Sequence, residues 1–334
     1  MKVAVVGCGT MGTVHGTDYS LLPGVELTGV CDLDRETARD LAGHLETIAY
    51  FSFEDMMAEA EIDAVSIALP THLHKEYVMK AADLGKHVIC EKPIALTLED
   101  AEEMISYCQE KGVRLFIGHV VRFFPEYADL KRKLDSGAAG EPGVAHLKRV
   151  GSHPGTAKDW YNDFDKSHGV IMDMMIHDID FARWAYGEVR EVFALNRRSA
   201  DQDYALVTLR FESGAIANLE GHWGYPGAFS TAAEFAGKSG IIRMNSGDSN
   251  SLKLLRKGAA KASASRVQVP KSPSYQDPYY YELEHFITCI REDKEPLVTA
   301  EDALRALEIV LAALESARTG QPVRLPLKGG IAHA

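Results

Sequence analysis

No uninterrupted apolar run in this chain approaches the ~20 residues a helix needs to cross a bilayer, so the sequence contains no candidate membrane span. Cysteine is sparse: Cys8, Cys31, Cys90, Cys108 and Cys289 are an odd number with no Cys-x-x-Cys spacing. That excludes a disulfide framework and a four-cysteine zinc site, and reads as reduced, mostly buried thiols. Basic charge is short, with 36 Lys and Arg against 48 Asp and Glu and a net charge of −12. Such a balance argues against nucleic acid or an anionic membrane as partner, while leaving room for a locally basic site. His-Glu-x-x-His is missing, and the i, i+2 spacing of His72 and His74 shares no helical face, so no metal is expected. Internal repeats and sustained heptads are also lacking.

What is present is ordinary globular composition over 334 residues, 46% hydrophobic and 25% charged, enough for two domains with separate cores. The opening Met-Lys-Val-Ala-Val-Val-Gly-Cys-Gly reads as a strand entering a glycine loop, not as a basic stretch followed by an apolar one. A cytoplasmic location without a signal peptide is therefore expected.

The first 118 residues alternate short apolar runs with amphipathic stretches. Strands are predicted at Lys2–Val6, Val25–Cys31, Asp63–Leu69, His87–Cys90 and Arg114–Gly118, with helices between them. Ser52 with Asp55 and Thr97 with Asp100 have capping-box spacing. Apolar strands separated by helices imply a parallel sheet covered on both faces, a doubly wound Rossmann architecture over residues 1–119. Residues 120–334 form a second α/β domain, with helices over Pro125–Leu134 and Val170–Tyr186. The intervening and following runs read as a large open, mostly antiparallel sheet: Val144–Val150, Glu191–Asn196, Tyr204–Phe211, Ala215–Trp223, Ala232–Phe235 and Gly240–Met244. Asn218, Glu220 and His222 alternate with apolar partners and leave one sheet face for water or a second subunit. Residues 246–278, with six basic side chains from Lys253 to Lys271, read as a solvated hairpin, and helices at Tyr279–Arg291 and Glu301–Arg318 follow.

Gly7-Cys8-Gly9-Thr10-Met11-Gly12 is Gly-x-Gly-x-x-Gly, set between a strand and a helix. Gly7 permits the turn, Gly9 admits a pyrophosphate against the backbone, and Gly12 lets helix and strand pack closely. The helix start at Thr10 and Met11 offers N–H groups to phosphate. Asp32 ends the second strand, 20 residues after Gly12, where a carboxylate binds the adenine-ribose hydroxyls and repels a 2′-phosphate. NAD is thus expected over NADP, with Arg35 the nearby guanidinium that would meet a 2′-phosphate if one bound. A methyltransferase also uses a glycine loop and a second-strand acid, so this motif alone does not decide the reaction.

Gly85-Lys86-His87-Val88-Ile89-Cys90-Glu91-Lys92-Pro93 closely resembles the signature of the Gfo/Idh/MocA oxidoreductases, which include inositol dehydrogenase and glucose–fructose oxidoreductase. The resemblance continues through Leu69-Pro70-Thr71 with His74, Arg122-Phe123-Phe124-Pro125, Asp173-x-x-x-His177-x-x-Asp180, Gly237-x-x-Gly240 and Tyr279-x-x-Glu282. It implies an NAD-dependent dehydrogenase acting on a secondary hydroxyl of a cyclic polyol or sugar, and a homodimer or homotetramer built through the second sheet. By resemblance, His177 takes the hydroxyl proton, Asp173 orients it and Lys92 holds the substrate oxygen. Independently, Lys92 follows a parallel strand, where open α/β sheets bind ligands. Asp173 and His177 are four apart, as on one helical face. Leu69, Pro70, Thr71, His74, Glu91 and Lys92 complete the expected cofactor set. Arg122, Trp160, Tyr161 and Tyr279 join the catalytic residues as expected substrate contacts.

Three departures stand out. Many members have Gly-Gly-Gly where this chain has Ser167-His168-Gly169, Gly where it has Met175, and, in the inositol enzymes, two arginines where it has Val121-Arg122. They remodel the pocket wall. An NAD-dependent glycosidase that oxidises its sugar only transiently, and a non-catalytic NAD/sugar-binding regulator, are the rival readings. Lys92, Asp173 and His177 together argue against the regulator.

Overall fold

A computed structural model of the chain describes residues 1–248, 252–256 and 276–327. The segment read as a basic hairpin lies largely outside the described residues, apart from a strand at Leu252–Arg256. Among the described residues no helix is long and apolar enough to cross a membrane.

The chain divides into two compact units. The first holds Met1–Val120, Asp163–His168 and Pro278–Glu308, and the second holds Val121–Asn162, Gly169–Asp277 and Ile309–Ala334. The sequence places one boundary at 119/120; in the structure the segments Asp163–His168 and Pro278–Glu308 group with the first unit.

In the first unit the strands are β1 (Lys2–Val6), β2 (Glu26–Cys31), β3 (Ala49–Tyr50), β4 (Ala64–Ile67), β5 (His87–Glu91) and β6 (Leu115–Gly118). Their spatial order is β3-β2-β1-β4-β5-β6 and every pairing is parallel. The helices between them are α1 (Thr10–Leu21), α2 (Arg35–Leu45), α3 (Phe53–Glu59), α4 (His74–Asp83) and α5 (Leu98–Glu110). Asp34, Ser52 and Thr97 cap α2, α3 and α5 by accepting backbone N–H bonds, the free groups that otherwise fray a helix start. Val3 to Val6, Ala64 to Ile67 and Val88 to Cys90 are all buried, as strands covered on both faces must be.

The second unit begins with α6 (Pro125–Asp135), whose proline opens the helix, and β7 (Pro142–Gly151). The short helix α7 (Phe164–Ser167) belongs to the first unit. One turn of π-helix at Ile171–Met175 leads into α8 (Ile176–Tyr186). Strands β8 (Val189–Arg198), β9 (Asp203–Phe211), β10 (Ile216–Trp223), β11 (Ser230–Gly237), β12 (Gly240–Asn245), β13 (Leu252–Arg256) and β14 (Val323–Arg324) complete the sheet. Its order is β13-β12-β11-β7-β10-β9-β8-β14. The expected antiparallel meander is present in β8-β9-β10, but β7 lies between β10 and β11 and runs parallel to β10. The helices α9 (Pro278–Glu292) and α10 (Ala300–Thr319) close the chain, α9 within the first unit. There Phe286 of α9 stacks on Phe116 of β6, with centroids 4.9 Å apart.

One sheet face of the second unit is covered by α8 through two buried ion pairs. Arg149 of β7 grips Asp178 at 2.8 and 3.0 Å. Arg122 grips Asp180 at 2.9 and 2.5 Å. Arginine suits such sites because its planar fork meets both carboxylate oxygens at once. Removing one partner leaves a buried charge without its counter-ion. Asp178→Ala is therefore expected to lower unfolding stability by ~3–5 kcal/mol, read by urea denaturation. Replacing Arg149 and Asp178 together by Met and Leu should recover most of the loss; a single-site cost near zero would show that the pair is not what fixes α8 to the sheet.

Candidate active site

The carboxyl ends of the parallel strands carry the expected cofactor residues of the first unit. Gly7 follows β1 with φ +93°, and a Cβ there would lie 2.4 Å from the Ala68 carbonyl oxygen. A Cβ at Gly12 would fall 1.7 Å from the Gly7 carbonyl oxygen, so only glycine lets α1 come this close to β1. At Gly9 nothing lies within 4 Å of that direction. The middle glycine thus keeps an open approach to the backbone, as a pyrophosphate requires. Thr10 is exposed and Met11 half-exposed at the start of α1.

Asp32 stands at the end of β2. Its Oδ2 accepts the Cys8 N–H at 2.8 Å and its Oδ1 the Asp34 N–H at 2.9 Å. These bonds fix the carboxylate against the glycine loop before any ligand arrives. Burial, with the Asp32 charge beside them, pushes the thiols of Cys8 and Cys31 up to about 12. Both are packing thiols and not nucleophiles at neutral pH. Arg35 is exposed, its guanidinium 4.7 Å from the centroid of the Phe51 ring. The open backbone at Gly9 and the fixed carboxylate at Asp32 fit a dinucleotide whose ribose carries free hydroxyls.

Two of the expected cofactor residues, His74 and Glu91, are buried. His74 is fully buried and lies 2.8 Å from the Pro93 carbonyl oxygen and 2.9 Å from that of Leu69. It joins the loop after β4 to the loop after β5. Burial lowers its pKa, outweighing the carbonyl bonds that raise it. Glu91 is likewise buried, bonded to His15 and to the Lys92 N–H. Both residues hold the cofactor loops together from behind. Leu69 and Pro70 are half-exposed, Thr71 is buried, and Lys92 is half-buried at the end of β5.

In the second unit, Asp173 lies on the π turn and His177 near the start of α8. From Val170 to Asp180 these two alone are not buried. A π turn is an unusual local geometry that clusters at functional positions, and the helical periodicity of the sequence carries no sign of it. Met175 packs flat on β10, where a Cβ at Gly221 would lie 2.4 Å from its Cγ. The Met at this position is thus accommodated by a glycine across from it. Trp160 and Tyr161 stack on each other at 3.9 Å, and Tyr161 meets Trp223 edge-on at 5.7 Å. Arg122, an expected substrate contact, is 2% exposed, with its guanidinium on Asp180 and against Trp184. In the first unit, Tyr279 is half-exposed at the start of α9. His168 takes a left-handed backbone, φ +51°, where relatives use glycine, and its Nδ1 lies 3.0 Å from the Phe164 carbonyl oxygen. Among the described residues no cluster of His, Cys, Asp and Glu has the arrangement of a metal site.

Residues 1–119 match the profile of an oxidoreductase family with an NAD-binding Rossmann fold, and residues 131–325 match that family's C-terminal α/β domain. The chain belongs to the Gfo/Idh/MocA oxidoreductase family. It is 32% identical to the scyllo-inositol 2-dehydrogenase (NAD(+)) of Bacillus subtilis, over 98% of this chain and 97% of that one. It is 30% identical to the myo-inositol 2-dehydrogenase of Thermotoga maritima, over 97% and 98%. A probable dehydrogenase from Thermotoga maritima has a similar structure, with TM-score 0.82 and 28% identity, over 97% of this chain and 99% of that one. This member is an NAD-dependent oxidoreductase with the family's two-part α/β fold.

The fixed Asp32 carboxylate predicts cofactor choice. The unmutated protein is expected to bind NAD⁺ more tightly than NADP⁺ in fluorescence titrations. Asp32→Ser should narrow the gap by relieving repulsion of the 2′-phosphate, and should weaken NAD⁺ as the glycine loop loses its anchor. Tighter NADP⁺ binding by the native protein would overturn the assignment.

Proposed function

We propose that this oxidoreductase reversibly oxidises a secondary hydroxyl of a cyclic polyol or sugar, inositol-like or aldose-like. The observation that carries the reading is the exposure pattern on the π turn and α8. Asp173 and His177 alone break an otherwise buried stretch, at the spacing of an imidazole with its orienting carboxylate. Support for the substrate class comes from the two relatives named as inositol dehydrogenases, which match along nearly their whole length.

His177 accepts the hydroxyl proton, a task suited to a side chain that titrates near neutrality. Asp173 orients the ring and stabilises the imidazolium that forms. Lys92 donates to the substrate oxygen and offsets its developing negative charge. Trp160 and Tyr161 offer an aromatic wall for the apolar face of a sugar ring. Gly7, Gly9, Thr10, Met11, Gly12 and Asp32 hold the cofactor, which when bound accepts hydride from the carbon being oxidised.

The open face of the second sheet is proposed as a subunit interface making a homodimer or homotetramer. Asn218, Glu220 and His222 are half-exposed on it, between the exposed Leu206 of β9 and Lys148 of β7, whose Nζ lies 3.1 Å from Glu220. Light scattering at micromolar concentration should give an assembly of two or four chains, and Leu206→Lys should shift it towards monomer. A monomeric native protein would count against the interface.

The proton acceptor is tested by His177→Ala, expected to lower kcat by roughly 10²–10⁴ with NAD⁺ affinity nearly unchanged and the acidic limb of the pH–rate profile lost. Lys92→Ala should lower kcat and raise KM, and the double variant should fall well short of the product of the singles, since the groups act as a unit. Near-normal turnover of His177→Ala with its acidic limb intact would place the base elsewhere. Screening inositols, aldoses and deoxy-sugars for NADH formation identifies the substrate. Aglycone release from glycosides without net NADH would replace dehydrogenation by transient oxidation.

A further inference from the structure

Beneath α1 lies a group of buried polar side chains that the proposed reaction does not use. His15, one turn after Gly12, is fully buried, its Nδ1 2.7 Å from Ser66 Oγ and its Nε2 3.0 Å from Glu91 Oε1. The arrangement closes when the Ser66 hydroxyl donates to Nδ1 and the Nε2–H donates to Glu91. The other oxygen of Glu91 accepts the backbone N–H of Lys92 at 3.2 Å. Glu282 enters the same pocket from α9, fully buried, with no hydrogen-bonding partner for either oxygen among the described residues. Gly118 of β6 shows how near the two acids are: a Cβ there would lie 3.3 Å from Glu91 Oε1 and 3.6 Å from Glu282 Oε2.

Two carboxylates this close in a dry pocket cannot both be ionised. The donors decide which one is, because Glu91 has the His15 imidazole and the Lys92 N–H while Glu282 has no donor. The protonation tendencies agree. Burial alone would raise Glu91, but the His15 hydrogen bond, with the positive charge of Lys92 nearby, holds it below the usual carboxylate range. Burial, and then the charge of Glu91, push Glu282 well above that range. The remaining ionisable groups around the pocket are Asp18 and Tyr19 of α1, His74 of α4, Cys90 of β5 and His119 just after β6, all buried.

We propose that Glu91 is a positioning residue for Lys92: held by His15, its carboxylate fixes the Lys92 backbone and places one buried negative charge behind the ammonium, while Glu282 stays a neutral acid. The idea rests on Lys92 acting at the substrate oxygen. Glu91 holds the Lys92 backbone in place, and a neutral Glu282 leaves Glu91 as the one buried negative charge of this pocket. An opposite charge nearby favours the ionised form of a group and strengthens as water is excluded.

The test uses the full chain without cofactor, labelled with ¹³C-lysine, with the Lys92 resonance assigned by Lys92→Arg. Glu91→Gln should lower the NMR titration midpoint of Lys92 and move the basic limb of kcat/KM with it. Glu91→Asp, which keeps the charge, should leave the midpoint near native, and Glu282→Gln should move neither quantity. Thermal melts supply a second readout. An acid whose folded-state pKa is raised loses stability as pH climbs above its unfolded value, because only the unfolded chain then ionises freely. The melting temperature of Glu282→Gln relative to the native protein should therefore rise steadily from pH 4.5 to pH 8. An unchanged Lys92 midpoint in Glu91→Gln, or a shift in Glu282→Gln as large as that in Glu91→Gln, overturns the proposal. If the midpoint moves and the kinetic limb does not, Glu91 still acts on Lys92, and what falls is the role of Lys92 at the substrate.

Discussion

The contact on which most of the first unit depends is the approach of α1 to the end of β1. A Cβ at Gly12 would sit 1.7 Å from the Gly7 carbonyl oxygen, so the depth at which α1 lies on the sheet is available to glycine alone. That depth does two things at once. It turns the first N–H groups of α1 towards the loop where a pyrophosphate is held, and it carries His15 down between β4 and β5 to reach Ser66 and Glu91. The glycine loop and the Lys92 loop are therefore coupled through one buried imidazole. Moving α1 outward by a methyl group would disturb both the dinucleotide cradle and the backbone that presents the ammonium.

The second unit solves a different problem, keeping two polar side chains at the surface of a helical stretch that is otherwise core. Arg149 of β7 and Arg122 of the turn after β6, each closed on one carboxylate of α8, tie the helix to the sheet and to that turn. Asp173 and His177 are left half-exposed. Both buried pairs rely on arginines that local sequence cannot distinguish from ligand-binding ones. Arg122, expected from the sequence as a substrate contact, is also the counter-ion of Asp180. Within Asp-x-x-x-His-x-x-Asp the last aspartate is thus tied to a buried arginine, while the first two polar groups are half-exposed.

The parallel sheet was legible because its strands are apolar on both faces and its turns carry glycine at fixed places. Lys2–Val6 reads to the residue, and α9 and α10 to within one residue at each end. What did not read was pairing across long sequence separations. Nothing local says that β7 inserts between β10 and β11, because a strand's burial pattern is the same whichever neighbour it has. Nothing says that α9 returns to the first unit, since an amphipathic helix shows which face is buried and not what buries it. The same limit hid the pocket under α1. His15, Glu91 and Glu282 are separated by 76 and 191 residues, and a buried unpaired acid is recognised only when the apolar walls around it are seen. The π turn was missed for another reason: 4.4- and 3.6-residue periods cannot be separated over five residues.

These two arrangements differ in how much change they tolerate. In the first unit each polar group answers to several others, so a substitution at His15, Ser66, Glu91 or Gly12 propagates to the Lys92 loop. The wall of the second unit is built from pairwise fits. Met175 rests on Gly221, and Trp160 rests on Tyr161, which meets Trp223. A pair of this kind can be exchanged for another of similar summed volume without touching Asp173 or His177, because volume-conserving swaps in a packed region cost little. Met175 lies opposite a glycine in the second unit, and His168, in the first, sits in a left-handed turn closed by its own ring. Exchanges of this kind reshape the second unit locally while the dinucleotide cradle of the first unit keeps its form.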